Sequence, residues 1–336
     1  MLNSKPSLVL VTGATGSVGP NLVNRLCEVG YRVRTFSIDE PEGEIFPSNV
    51  EVQIGDVTDA SAVESALRRV NVVFHLAALL HITNPTKIQK WKFEKVNVMG
   101  TKNLVEAAIQ VGVKRLVYFS TISVYGQSNG SIINESSPTK PETIYAKTKL
   151  SAERLVLKAF NKEGQPLGTV LRLGAVYGVR VKGNYRRLIH SLASKRFFPI
   201  GKGENRRTLI YDKDVALAAI LAARDPKAAG KIYNVTDGQF HSVNEIITAI
   251  CLALGRKLPK FYLPLGPVRV GVNLADRIGS LLGISSVRLK SALSKYCEDI
   301  AVDGSRIMHE LGFRPEYDIW EGWKETIKEM REKGYL

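Results

Sequence analysis

Cysteine is nearly absent: Cys27, Cys251 and Cys297 are the whole supply in 336 residues. An odd, scattered set excludes a disulfide framework and offers no metal-ligand spacing, so no resident metal is expected. No uncharged apolar stretch reaches the roughly 20 residues that a membrane-spanning helix needs. The opening Met1–Pro6 lacks the layout of a signal peptide. The chain also lacks internal repeats, low-complexity tracts, zinc-finger spacings, basic heptads and RNP-like runs. A cytoplasmic protein with no membrane span and no nucleic-acid partner is expected.

What is present is ordinary globular composition, 44% hydrophobic and 24% charged. The length suits one large domain with a smaller companion. Charge is less ordinary. Lys+Arg number 47 against 32 Asp+Glu, a net +15, enough to attract polyanions. A phosphorylated small substrate or an acidic surface fits that excess, and so does a plain solvated basic exterior.

The first half alternates short β-branched runs with amphipathic stretches. Leu8 to Thr12, Arg32 to Phe36, Val50 to Ile54, Val72 to Leu76, Leu116 to Ser120 and Val170 to Leu173 read as strands. Helices are predicted over Ser17 to Val29, Met99 to Val111 and Tyr145 to Asn161. Continuous apolar strands separated by helices predict an α/β, doubly wound parallel sheet covered on both faces. Beyond Tyr177 the rhythm changes. A helix at Asp212 to Ala223, a strand at Lys231 to Val235 and a helix at Val243 to Leu254 follow a Gly- and Arg-rich stretch. The apolar run Leu263 to Gly283, interrupted by Arg269, Asp276 and Arg277, predicts a buried or partner-facing helix rather than a membrane span.

Strand one runs into Thr12-Gly13-Ala14-Thr15-Gly16-Ser17-Val18-Gly19. Glycines there allow a tight turn and close approach of the backbone to a pyrophosphate, and the following helix offers free N–H donors. Placement between a first strand and a first helix raises a weak motif to a cofactor site comprising Gly13, Thr15, Gly16, Ser17, Val18 and Gly19. NAD discrimination uses an acid near the end of strand two. Asp39 and Glu40 stand there and would repel a 2′-phosphate, while Arg34 keeps NADP open as the alternative. Asp56, after strand three, is placed either to touch the adenine or to cap a turn.

Tyr145 and Lys149 lie one turn apart on one helix face. A tyrosine base at neutral pH needs its pKa of about 10 lowered by about three units, roughly 4 kcal/mol. An ammonium about 4–5 Å away supplies on the order of 4 kcal/mol at an effective dielectric near 20.

These motifs resemble an extended short-chain dehydrogenase/reductase of the NAD-dependent epimerase/dehydratase family, whose members mostly modify nucleotide sugars. The similarity runs through Gly55-Asp56-Val57, His75-Leu76-Ala77-Ala78, Asn97 with Gly100-Thr101, Ser120-Thr121 before Val124-Tyr125-Gly126, Arg172, Val176-Tyr177-Gly178, Arg207 to Tyr211 with Asp214, and Glu310 to Pro315. It implies a Rossmann-type sheet over residues 1–177, with 208–236 returning to it. A smaller, mostly helical substrate domain would comprise 178–207 and 237–336. It implies Tyr145 as general base, Lys149 as its ribose-binding neighbour and Thr121 as the hydroxyl that orients the reacting group. Val57, Leu76, Ala77, Ala78 and Asn97 would join the cofactor site, and Ser123, Asn184 and Arg207 would bind substrate.

Departures narrow the chemistry. Thr121-Ile122-Ser123 lacks the acidic pair that a dehydratase carries after its threonine. Ala175 stands where epimerases often hold an asparagine, and Lys182-Gly183-Asn184-Tyr185 resembles branches that reduce 4-keto amino sugars. The expected function is a UDP-hexose 4-epimerase of polysaccharide biosynthesis, acting as a homodimer. The alternatives are a UDP-4-keto-hexosamine 4-reductase, a sterol- or flavonoid-type reductase, and a non-catalytic dinucleotide-binding regulator. His75 and His81 read as core or rim residues, Trp91 and Phe93 as helix packing, and no serine-hydrolase relay is spaced correctly.

Overall fold

The computed structural model describes residues 7–80, 82, 85–128, 130–281 and 287–336, with the side chains of 276–291 left aside. His81 lies outside the described residues. The first half comprises β1 Leu8–Thr12, α1 Gly19–Glu28, β2 Arg32–Ser37, β3 Glu51–Ile54, α2 Ala60–Ala66 and β4 Val72–His75. After these come α3 Lys87–Phe93, α4 Gly100–Val111, β5 Arg115–Thr121, α5 Ile144–Leu157 and β6 Gly168–Leu173. A π-helical stretch, Glu94–Met99, joins α3 to α4 without a break, which the sequence pattern does not predict.

Alternation along β1 explains why this strand is central. Leu8 and Leu10 pack into the core on one face of the sheet, with Leu104, Val63 and Val156. Val9 and Val11 pack into the core on the other, with Leu22, Val23 and Ala218. Period-two side chains on a strand covered twice must be apolar at every position, and all five residues of β1 are buried. The strand order is β10-β6-β5-β4-β1-β2-β3, every pairing parallel. The order reverses between β1 and β4, so the loops after these two strands diverge and leave a crevice at the sheet's C-terminal edge.

The second half begins with β7 Ala175–Tyr177, α6 Asn184–Ala193, β8 Arg206–Arg207, β9 Leu209–Tyr211, α7 Asp212–Arg224 and β10 Ile232–Val235. β10 returns to the sheet beside β6, and α7 covers the face that α1 covers. The chain finishes with β11 His241–Ser242, α8 Val243–Leu254, α9 Leu265–Leu281, α10 Val287–Cys297, α11 Ser305–Leu311 and α12 Ile319–Glu332. A separate core gathers Tyr177, Ile189, Ile246, Ile250, Trp323 and Ile327. Trp323 stacks on Tyr177 with ring centroids 4.4 Å apart, and Gly322 lets α12 come that close, since a Cβ there would lie 2.2 Å from the Tyr177 hydroxyl.

Two boundaries differ from expectation. α5 stops at Leu157, short of Asn161, because Phe160 turns back to bridge Pro166. The helix expected from Leu263, buried or partner-facing, forms as α9 from Leu265, and its described residues are exposed or half-exposed. Among the described residues no helix is long and apolar enough to cross a membrane.

Candidate active site

The crevice is a cleft of about 1140 Å³, larger than the roughly 300–1,000 Å³ of a typical single-ligand site. Its floor is the turn after β1. Gly13 has φ +67, donates its N–H to the Phe36 carbonyl at 2.8 Å, and could carry no Cβ, which would lie 2.7 Å from the Ala77 backbone. A Cβ on Gly19 would lie 2.0 Å from the Ala14 carbonyl oxygen. These two glycines draw α1 against the strand edge. The α1 N-terminus has no side-chain cap, so its first N–H groups keep their capacity for an anion.

All six predicted residues of this turn, Gly13 and Thr15 to Gly19, line the cleft. Asp39, Asp56, Val57, Leu76, Ala77 and Ala78 line it too, supplied by the loops after β2, β3 and β4. Asp56 also accepts from the Thr58 N–H at 2.8 Å, so it fixes its own turn while facing the cleft. Arg34 does not serve a 2′-phosphate. Its guanidinium is held by Glu51 at 2.8 and 3.0 Å and by the carbonyls of Ala66 and Arg68. The lining therefore fits NAD: Asp39 faces the cleft as an acid, and Arg34 is engaged elsewhere.

Tyr145, Lys149 and Thr121 share a wall of the cleft. The Thr143 hydroxyl caps α5 by accepting from Ala146 N–H at 3.1 Å, which starts the helix one residue before Tyr145. Thr121 ends β5, and its Oγ1 accepts from Ser123 N–H at 3.1 Å. Electrostatics here correct the expectation from the sequence. Burial pushes the Tyr145 phenol up, to about 12, and pushes the Lys149 ammonium down to about 7. Residue spacing carries the attraction between them but not the cost of taking both from water.

Behind Lys149 lies a charged pair that the sequence reading missed. Glu153, one further turn along α5, receives Arg172 from β6 at 2.6 Å, both side chains at least 96% buried. Arg172 Nε reaches both carboxylate oxygens, at 3.1 and 3.2 Å, and Ser120 donates its hydroxyl to the same group. The Arg172 guanidinium stacks 4.7 Å over the Tyr125 ring, and Tyr125 donates to Asn234 Oδ1 at 2.8 Å. Glu153 is the group that holds charge on Lys149 against burial, and Lys149 Nζ rests 4.2 Å above the Tyr118 ring. The same four-residue spacing that links Tyr145 to Lys149 also predicts Glu153.

Three of the predicted ligands stand off the cleft lining. Asn97 is buried outside the cleft lining. Its side chain accepts from Leu79 N–H at 2.7 Å and donates to the Leu79 carbonyl and to Thr148, so it ties the loop after β4 to α5. Ser123 is exposed and stands off the lining. Arg207 also stands off it, donating to the carbonyls of Lys295 at 2.5 Å, Tyr296 at 3.1 Å and Glu298. It caps the C-terminal end of α10, where a cation meets unsatisfied carbonyls. Asn184 does line the cleft, and with it the basic residues Lys182, Arg187 and Lys295. Asp212 was also missed. It is buried at the cleft wall with Oδ1 unpartnered among the described residues, and burial, then the charge of Glu329, raises it to about 7.

His75 is a neutral core group. Thr101 donates its hydroxyl to the Asn97 carbonyl, so it accepts from His75 Nε2–H at 2.9 Å, leaving Nδ1 to accept from Thr12 at 2.7 Å. Burial, helped by the Lys149 charge, lowers it to about 3. Phe93 is buried, whereas Trp91 is exposed, with Lys95 over its ring.

A model of the NAD-dependent epimerase/dehydratase family matches residues 9–236. The chain belongs to that family. It is an enzyme, NAD is its cofactor, and its relatives include nucleotide-sugar epimerases. It is 28% identical to UDP-glucose 4-epimerase of Vibrio cholerae, over 96% of this chain and 95% of that one. It is 27% identical to N-acetyl-alpha-D-glucosaminyl-diphospho-ditrans,octacis-undecaprenol 4-epimerase of Escherichia coli O157:H7, over 95% and 94%. Among solved structures it resembles MoeE5 in complex with UDP-glucose and NAD, with a TM-score of 0.75, 27% identity and coverage of 97% of this chain and 99% of that one.

Proposed function

We propose that this enzyme is a 4-epimerase of a hexose carried on a diphosphate, with UDP as the carrier. The observation that carries the reading is one cleft lined both by the glycine turn with Tyr145, Lys149 and Thr121 and by the cations Lys182, Arg187 and Lys295. Bound NAD supplies the acceptor and donor of hydride. Tyr145 Oη takes the proton from the sugar 4-hydroxyl, and Thr121 Oγ1 holds that hydroxyl in line. Lys149 stabilises the phenolate while charged. These cations receive the diphosphate in place of Arg207. Release of the 4-keto sugar from Thr121 lets it turn and present its other face to the returning hydride, which inverts C4, while Tyr145 gives the proton back to the 4-oxygen. The residues outside the seven-stranded sheet, 178–207 and 237–336, form the substrate-binding part of this proposal, and a homodimer is the proposed assembly.

A 4-keto reductase is the second reading, favoured by Ala175, which lines the cleft where an amide would hold the sugar of an epimerase. Incubation of purified protein with UDP-hexoses and UDP-N-acetylhexosamines, without added cofactor, separates the two. Interconversion of 4-epimers with no net change in NADH supports the epimerase. Product that forms only with stoichiometric NADH consumption overturns it.

A further inference from the structure

The apolar surface around α9 has no counterpart among the enzyme's described elements that would bury it. Phe261 is 74% exposed, Val270 67% and Leu274 56%. Phe198, Tyr262 and Leu263 are also exposed, and backbone pairing binds their segments together: Leu263 N–H donates to the Pro199 carbonyl and Gly201 N–H to the Leu263 carbonyl, both at 2.8 Å. The half-buried positions of α9, Leu265, Val268 and Val272, leave Val270 and Leu274 facing water on a helix that is apolar nearly all round. This surface adjoins the cleft. α9 packs on α10, which supplies Ala292 and Lys295 to the cleft lining, and Tyr296 of α10 sets its ring 6.4 Å from that of Phe197 and accepts from Ile200 N–H at 3.3 Å.

Charge decides what covers it. Residues 195–202 and 255–275 carry seven basic side chains, Lys195, Arg196, Lys202, Arg256, Lys257, Lys260 and Arg269, and no acidic one. Two copies of such a surface repel each other, which argues against a second chain as occupant. An apolar face with exposed aromatics, ringed by lysine and arginine, has the composition of a segment that lies in a bilayer interface. We infer that the α9 surface docks the enzyme on an anionic lipid bilayer, with the mouth of the cleft beside the headgroups. The net +15 of the whole chain reinforces that orientation. Docking does not depend on which sugar the cleft takes.

The test is co-sedimentation of the full chain with phosphatidylcholine vesicles, with and without phosphatidylglycerol, at low and high salt. Binding is expected to the anionic vesicles and to weaken with salt. Lys257→Gln with Lys260→Gln should cut partitioning by about 25-fold, about fivefold per charge. Val270→Ser with Leu274→Ser should cut it by at least tenfold. Circular dichroism melts verify that the variants fold, and none of the four residues lines the cleft, so turnover of a soluble substrate should hold. Vesicle binding is read without turnover, so its outcome is separate from that of the proposed reaction. No binding to anionic vesicles at low salt overturns the inference, as does binding that the variants leave unchanged. A drop in oligomer mass in the apolar variant, without a change in vesicle binding, assigns the surface to a second copy instead.

Discussion

Glu153→Gln isolates the charge that stands behind Tyr145 and Lys149, the proposed catalytic pair. The carboxylate lies one helical turn from Lys149, about 6 Å between Cβ atoms. At an effective dielectric near 20, two unit charges at that distance interact by about 3 kcal/mol, or about two pH units. Lys149 already sits at about 7 with Glu153 in place. Without the carboxylate it should fall to about 5, so at neutral pH only about 1% of it stays charged. The pH profile of kcat/KM should lose its alkaline limb about two units earlier than in the native enzyme. The variant also leaves Arg172 buried without its partner, at a cost of about 3–5 kcal/mol in stability. Two controls separate the effects. Glu153→Asp keeps the charge and should keep the limb while lowering Tm. Glu153→Gln with Arg172→Gln removes the whole pair, and a folded double variant should still show the shifted limb if the carboxylate's direct attraction exceeds the guanidinium's more distant repulsion. A folded Glu153→Gln protein whose alkaline limb stays in place refutes the reasoning.

Tyr145→Phe should lower turnover by about 10²–10⁴-fold with NAD affinity retained, read by kinetics and by cofactor titration. Gly19→Ala should weaken NAD binding and cost about 1–3 kcal/mol, because its Cβ meets the Ala14 carbonyl and pushes α1 off the strand edge; calorimetry measures both. Arg207→Ala should lower Tm by loosening the end of α10, and KM should change no more than the loosened wall requires. Asp212 has a folded pKa raised from 3.8 to about 7, so its carboxyl favours folding below about pH 4 and that advantage is lost as pH rises toward 7. Asp212→Asn should therefore stabilise the protein by roughly 2–4 kcal/mol near pH 8 and by nothing near pH 4, measured by urea denaturation at both pH values.

The sheet was legible because a parallel strand covered on both faces cannot hide its composition: β1, β4, β5 and β6 are nearly continuous apolar runs, and their residues are buried almost throughout. The glycine turn was legible for a related reason, since only glycine fits where Gly13 and Gly19 meet other backbone. The hydrogen-bond partners of Arg207 and Asn97 were illegible because they are distant in sequence. The carbonyls that Arg207 satisfies lie about 90 residues away, and no local pattern announces them. Which of the two alternatives α9 follows was illegible on the same grounds: an apolar helix reads equally as buried or as partner-facing until its neighbours are known.

The catalytic stripe shows where residue spacing stops carrying chemistry. Spacing places Tyr145, Lys149 and Glu153 on one face of α5, and Coulomb attraction at that spacing is large enough to tune a phenol. Depth reverses the sign. Lys149 is 2% exposed, and an ammonium taken that far from water loses more than its tyrosine neighbour returns, so it drifts toward neutrality. The chain answers with a second charge, Glu153, which is itself too deeply buried to stand alone and is anchored by Arg172 and Ser120 on two strands of the sheet. Each charge in the series therefore requires the next one inward, from Lys149 at the cleft through Glu153 to a guanidinium on β6 that stands off the cleft lining.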